Sequence, residues 1–199
     1  FVNYLSLDKK RNLYYIDYLK TLISKEEIEA YYNDNVYGEI NTNHMLVKVS
    51  SSATDEEKTE AENLAKEIIS KLNEGKTFDE VKEEYKDKIT YEELGYKSYN
   101  ASLESAYMEE MEKLSNESYS QTPVKTSYGY HVVYRIDQKE KPSLEDVKDE
   151  VTEALANKIA AEDKNLLYTS LDKMRTEAGF KFHDTVLEAK YNTYMNQFK

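Results

Sequence analysis

At 199 residues, 39% of them apolar, the chain has material for one domain of ordinary size and a smaller one. Its 39 acidic against 27 basic residues give a formal charge of −12, which argues against nucleic acid or anionic lipid as the main partner and leaves peptide or protein. Cysteine is absent, which excludes disulfides and thiolate chemistry, and no apolar run approaches the roughly 20 residues that cross a bilayer.

Phe1 opens neither a signal-peptide pattern nor a Met start, as expected of a processed or trimmed product. The first forty residues read as helical. Tyr4, Leu5, Leu7, Leu13, Tyr14, Ile16, Leu19, Leu22 and Ile23 form a broad apolar stripe. Ser24 followed by Glu27 is a capping box that starts a second helix through Ile28, Tyr31 and Tyr32, with its end expected near Asn35 to Gly38. NHMLVKV, residues 43–49, alternates as a strand does, with His44 at its start.

The clearest helical pattern follows, with Ala61, Leu64, Ala65, Ile68, Ile69 and Leu72 on one face and Gly75 as the residue that closes the helix. Thr77 with Glu80 caps a shorter helix carrying Phe78, Val81 and Tyr85, and Leu103, Tyr107, Met111 and Leu114 mark a third. TPVKTSYGYHVV, residues 122–133, reads as a turn at Gly129 feeding a strand from Tyr130 to Ile136, with His131 on the face opposite Tyr130 and Val132. Past Pro142, Ser143 and Asp146 form an N-cap pair for a helix through Leu144, Val147, Val151, Leu155 and Ile159 that is expected to run to Ala178 and end at Gly179, with a helical tail from Phe180. The layout predicts a β-α-α-α-β middle between helical flanks that join each other.

The charged runs DEEKTEAE and EDVKDEVTE read as solvated helix faces, His183 has no partner at metal-ligand spacing, and no phosphate loop or serine nucleophile motif occurs. No metal and no cofactor are expected. Nineteen tyrosines without a tryptophan suit half-wet binding surfaces.

NHMLVKV, GKTFDEVKEEY, the Leu94-Gly95 pair and above all PVKTSYGYHVV carry a resemblance to the parvulin-type peptidyl-prolyl isomerases. With helices on both sides, the whole chain is similar to the PrsA-like extracytoplasmic foldases of Gram-positive bacteria, and more distantly to SurA-like proteins. The resemblance implies an α+β fold: a parvulin-like antiparallel sheet with surrounding helices over 43–138, inserted in a helical lobe of 1–42 and 139–199. It implies catalytic roles for His44 and His131, a supporting hydroxyl at Thr126, and a proline pocket from Leu103, Tyr107 and Met111. The family's longer loop with an aspartate or cysteine and then GGDLG is replaced by EYKDKITYEELG, with Tyr91 and Glu92 in place of the glycines, Glu93 in place of the motif's aspartate, and Asp87 as the nearest loop carboxylate.

Implied partners are unfolded or proline-containing segments of exported proteins, with no nucleic acid, a membrane only through a lipid anchor outside this chain, and a homodimer left open. The implied location is the outer face of the cell membrane. The leading reading is a foldase and chaperone with isomerase activity that the altered loop weakens; a non-catalytic chaperone or a cell-envelope interaction module with the same fold stays open beside it.

Overall fold

The computed structural model describes residues 2–198, and side chains from residue 6 to 198; Tyr4 and Leu5, assigned to the first apolar stripe, have side chains outside the described residues. In chain order the elements are α1 (Val2–Leu22), α2 (Lys25–Asn35), β1 (Ile40–Lys48), α3 (Asp55–Asn73), α4 (Phe78–Tyr85), β2 (Thr90–Lys97), α5 (Ser105–Lys113), β3 (Ser118–Tyr119), β4 (Val124–Thr126), β5 (Gly129–Gln138), α6 (Leu144–Glu162), α7 (Leu166–Glu177) and α8 (Thr185–Met195), closed by a 3₁₀ turn at Asn196–Phe198. They divide into two compact units, Phe1–Val36 with Ser143–Lys199, and Tyr37–Pro142.

Local chemistry sets the helix ends. Ser24 with Glu27, Thr54 with Glu57 and Thr77 with Glu80 each form a reciprocal capping box at the start of α2, α3 and α4, each worth about 1 kcal/mol. After α3 the chain turns through Gly75 at φ +94°, where the Gly75 amide donates to Leu72 and the Lys76 amide to Lys71. Those two bonds satisfy carbonyls that the helix end leaves open.

The sheet of the middle unit is antiparallel throughout, in the order β2-β1-β5-β3, with β4 also pairing β5. Both faces are covered. Met45 and Val47 of β1 and Tyr130 and Val132 of β5 are buried with Ile68, Ile69 and Leu72 of α3 and Val81 and Tyr85 of α4. On the opposite face Ile40, Val124 and Val133 are buried with Tyr107 and Met111 of α5. α5 is anchored by Arg135, whose guanidinium donates to the carbonyls of Glu112 and Leu114 at 3.2 and 2.6 Å, and to Asn116. A cation at a helix C-terminus satisfies the open carbonyls and suits the helix dipole.

In the helical unit, Tyr15 and Leu19 of α1 are buried with Ala156 of α6, and Ile159, Leu166 and Leu167 lie against them. No helix among the described residues is long and apolar enough to cross a membrane.

Four expectations are corrected. The first strand begins at Ile40, ahead of 43, because Asn41 joins the ladder despite poor strand propensity, between the strand-favouring Ile40 and Thr42. Residues 90–97, expected as loop, form the edge strand β2. The third middle helix starts at Ser105, so Leu103 precedes it. The long helix expected to reach Ala178 breaks after Glu162, where the Asp163 carboxylate accepts the amides of Asn165 and Leu166. An aspartate that bonds its own backbone two residues on competes with the helical ladder.

Candidate active site

The site is assembled on the α5-facing side of the sheet. Leu46 of β1 pairs with His131 of β5, and His44 with Val133, so the two histidines are diagonal neighbours across the central strands. Their rings meet edge to face with centroids 4.6 Å apart, and Tyr107 from α5 meets both, at 5.5 Å from His44 and 5.4 Å from His131.

Hydrogen bonds fix these rings. The Tyr107 hydroxyl donates to Thr42 Oγ1 at 3.3 Å, and the Thr42 hydroxyl donates to the Met111 sulfur at 4.0 Å. His44 Nδ1 lies 3.2 Å from the same Tyr107 hydroxyl, and the two are hydrogen-bonded. Thr126 Oγ1 lies 2.7 Å from His131 Nε2 and also accepts the Tyr128 amide at 3.2 Å. Gly129 permits this hairpin: its φ is +141°, and a Cβ there would stand 2.1 Å from the Val47 carbonyl oxygen.

Burial decides the charge state. His44 and His131 are 3% and 5% exposed. Desolvation pushes each pKa down to about 4, with the neighbouring His44 adding to the effect at His131, so both are neutral at pH 7. Desolvation likewise raises the Tyr107 phenol to about 12. The Glu104 carboxyl is held below its ordinary range by the Ser127 hydroxyl and amide.

A cavity of about 410 Å³ opens above these groups. His44, His131, Thr126, Leu103 and Tyr107 all line it, joined by Leu94. Two expected site residues lie elsewhere. Met111 is fully buried beneath Tyr107 in the core, off the cavity wall. Asp87 is exposed in the turn after α4 and does not line the cavity, because the segment that follows runs as a strand beside β1 and presents a different carboxylate. That carboxylate is Glu92, which pairs with His44 across the β1–β2 ladder and brings Oε2 to 3.9 Å from His44 Nε2. Tyr91 and Glu93 turn to the other face, where Tyr91 donates to Glu93 and accepts from Asn43. Among the described residues, no group of three or more His, Cys, Asp or Glu side chains could hold a metal ion.

Residues 44–137 match the family model for the rotamase, or PPIC-type PPIase, domain. The middle unit is a parvulin-type domain. Across most of its length the chain is also similar to proteins named as PrsA foldases. Foldase protein PrsA of Geobacillus kaustophilus (strain HTA426) is 30% identical over 175 residues, which cover 83% of this chain and 54% of that protein. The chain thus spans about half the length of the curated relatives it matches. The crystal structure of the peptidylprolyl isomerase PrsA from Bacillus cereus aligns with a TM-score of 0.53 at 23% identity, over 85% of this chain and 60% of that one. Foldase protein PrsA from Lactococcus lactis aligns with a TM-score of 0.57 at 14% identity, over 98% and 68%. At these identities the two structures speak for a shared fold. Within the parvulin-type domain, two hydrogen-bonded pairs, His44 with Tyr107 and Thr126 with His131, meet through their rings to floor the cavity.

Proposed function

We propose that this chain acts as a foldase of the extracytoplasmic face of the cell membrane: the parvulin-type domain binds proline-containing segments of unfolded exported proteins and speeds their cis–trans isomerisation, while the helical unit holds the client. The observation that carries the reading is the cavity itself, half-enclosed by Leu103, Leu94 and the Tyr107 ring and floored by two neutral imidazoles.

Rotation about an X-Pro bond meets a barrier of about 18–20 kcal/mol set by amide resonance, and it needs no covalent intermediate. The twisted amide has lost that resonance, so its nitrogen is pyramidal and the ring stands out of the peptide plane. A site that grips the ring on an apolar wall and excludes water lowers the barrier by binding this form better than either planar one. Leu103, Leu94 and Tyr107 supply the grip. The histidines, neutral at pH 7, shape the floor and do not act as imidazolium acids.

A second reading, a chaperone with little turnover, is supported by the place of Asp87 outside the cavity and by the apolar side chains that the helical unit exposes: Leu7, Leu13, Tyr14 and Leu22 of α1 are each more than half exposed.

The test is a protease-coupled isomerisation assay on Ala-Ala-Pro-Phe with the whole chain and with Leu103→Ala. Leu103 is half-buried just ahead of α5, so its truncation should weaken turnover about 5- to 30-fold, the equivalent of roughly 1–2 kcal/mol of apolar contact. Turnover that is measurable and insensitive to Leu103→Ala would place the chemistry elsewhere. No turnover together with full suppression of client aggregation would establish the holding function alone.

A further inference from the structure

We infer that the cavity selects prolyl segments with a lysine or arginine next to the proline, and that Glu92 is the residue that sets this preference. The inference rests on the prolyl-binding reading above and names its substrate class.

His44 Nε2 and the Glu92 carboxylate face one another on the cavity lining without a hydrogen bond between them. His44 Nε2 is buried and has no hydrogen-bond partner among the described residues. Glu92 Oε2 stands 3.9 Å from it, too far for a hydrogen bond. A neutral imidazole does not balance the carboxylate, and among the described residues no lysine or arginine makes an ion pair with Glu92. Its side chain is 48% exposed at the cavity mouth.

The rest of the lining points the same way. Glu104 keeps its negative charge while accepting the Ser127 amide and hydroxyl. Lys48 is the one basic residue of the lining, and it forms no ion pair with either glutamate. The cavity thus offers two carboxylates, one ammonium and two uncharged imidazoles to an incoming chain. A concave site with low-dielectric walls concentrates the field of such groups, and the overall charge of −12 draws cationic chains toward it. An ammonium or guanidinium would meet the Glu92 carboxylate beside the unpartnered Nε2. A glutamate or phosphate in the same place would be repelled by Glu92.

The test uses the whole chain and two peptide series, Ala-X-Pro-Phe and Ala-Ala-Pro-X, with X as Lys, Ala or Glu. Affinity is read from chemical-shift titration of the His44 and His131 imidazoles at low and high salt. In at least one series the expected order is Lys over Ala over Glu. One half-exposed ion pair predicts steps of about two- to fivefold, compressed at 0.5 M salt. Glu92→Gln should remove the order and Glu92→Lys should reverse it, each variant being checked as folded by its amide spectrum. Equal binding of the Lys and Ala peptides in both series overturns the inference, as does a Lys preference that survives in both variants. If the Ala peptides fail to shift either histidine, the prolyl-binding reading itself falls. Binding of the Ala peptides without a charge preference sinks only the present inference.

Discussion

His44 and His131 have folded pKa values near 4, against an ordinary value of 6.5, so between those limits the unfolded chain binds more protons than the folded one. Stability then falls as pH falls, and the stabilisation is complete only above about 6.5. By pH 5 the loss should be on the order of 2 kcal/mol per histidine. Urea midpoints at pH 7, 6 and 5 check this, and a flat profile over that range would show that the rings charge freely. Tyr107 is the second lever. Tyr107→Phe keeps the ring on the cavity wall but strips the hydroxyl between His44 Nδ1 and Thr42 Oγ1. A buried ring nitrogen left without its partner predicts a loss of about 1–3 kcal/mol and a freer His44 tautomer, both readable by urea titration and imidazole ¹⁵N shifts.

At the scale of elements, the hairpin from β4 to β5 is the part least tolerant of change. Gly129→Ala would force an alanine into φ +141° with its Cβ 2.1 Å from the Val47 carbonyl. Destabilisation of about 1–3 kcal/mol or more is expected, with the Thr126–His131 bond disturbed in the imidazole spectrum. An alanine variant as stable as the parent would show that the hairpin can back away from β1. This hairpin was also the most legible stretch of the sequence, since glycine, alternation and histidine coincide there. The capping boxes at Ser24 and Thr77 and the glycines after α3 and α7 were legible for the same reason: each is a local device with its chemistry in adjacent residues. β2 was not. As an edge strand it leaves Glu92 and Glu93 in water, so no apolar alternation marks it, and the site carboxylate was sought at Asp87 in consequence. The break at Asp163 was hidden because the apolar stripe runs on from Ile159 to Leu166 across it.

At the scale of the molecule, the two units have separate cores, the middle one with a cluster on each face of its sheet. A fragment spanning 37–142 should therefore fold alone and keep the histidine pair's shifted titration, which NMR of the isolated fragment checks. If the helical unit holds clients through its exposed leucines and tyrosines, the same fragment should lose most suppression of aggregation of a denatured client. Full suppression by the fragment would move the holding surface onto the sheet domain.

Gly38 sits so close to Lys139 that a Cβ would fall 1.8 Å from its carbonyl oxygen, and the Lys139 amide donates to Glu39 at 2.9 Å. The chain enters and leaves the middle unit side by side, and this orders events during synthesis. Tyr15 and Leu19 emerge early, yet their partner Ala156 is made only after the whole insertion. Left unstructured, the intervening roughly 100 residues are a loop to be closed; once the insertion folds, the loop shrinks to a few residues, and closing it becomes easier by about 2–3 kcal/mol. The first helices therefore wait with their apolar stripe bare until the sheet has formed, and the insertion serves as the clasp that brings the two halves of the helical core within reach.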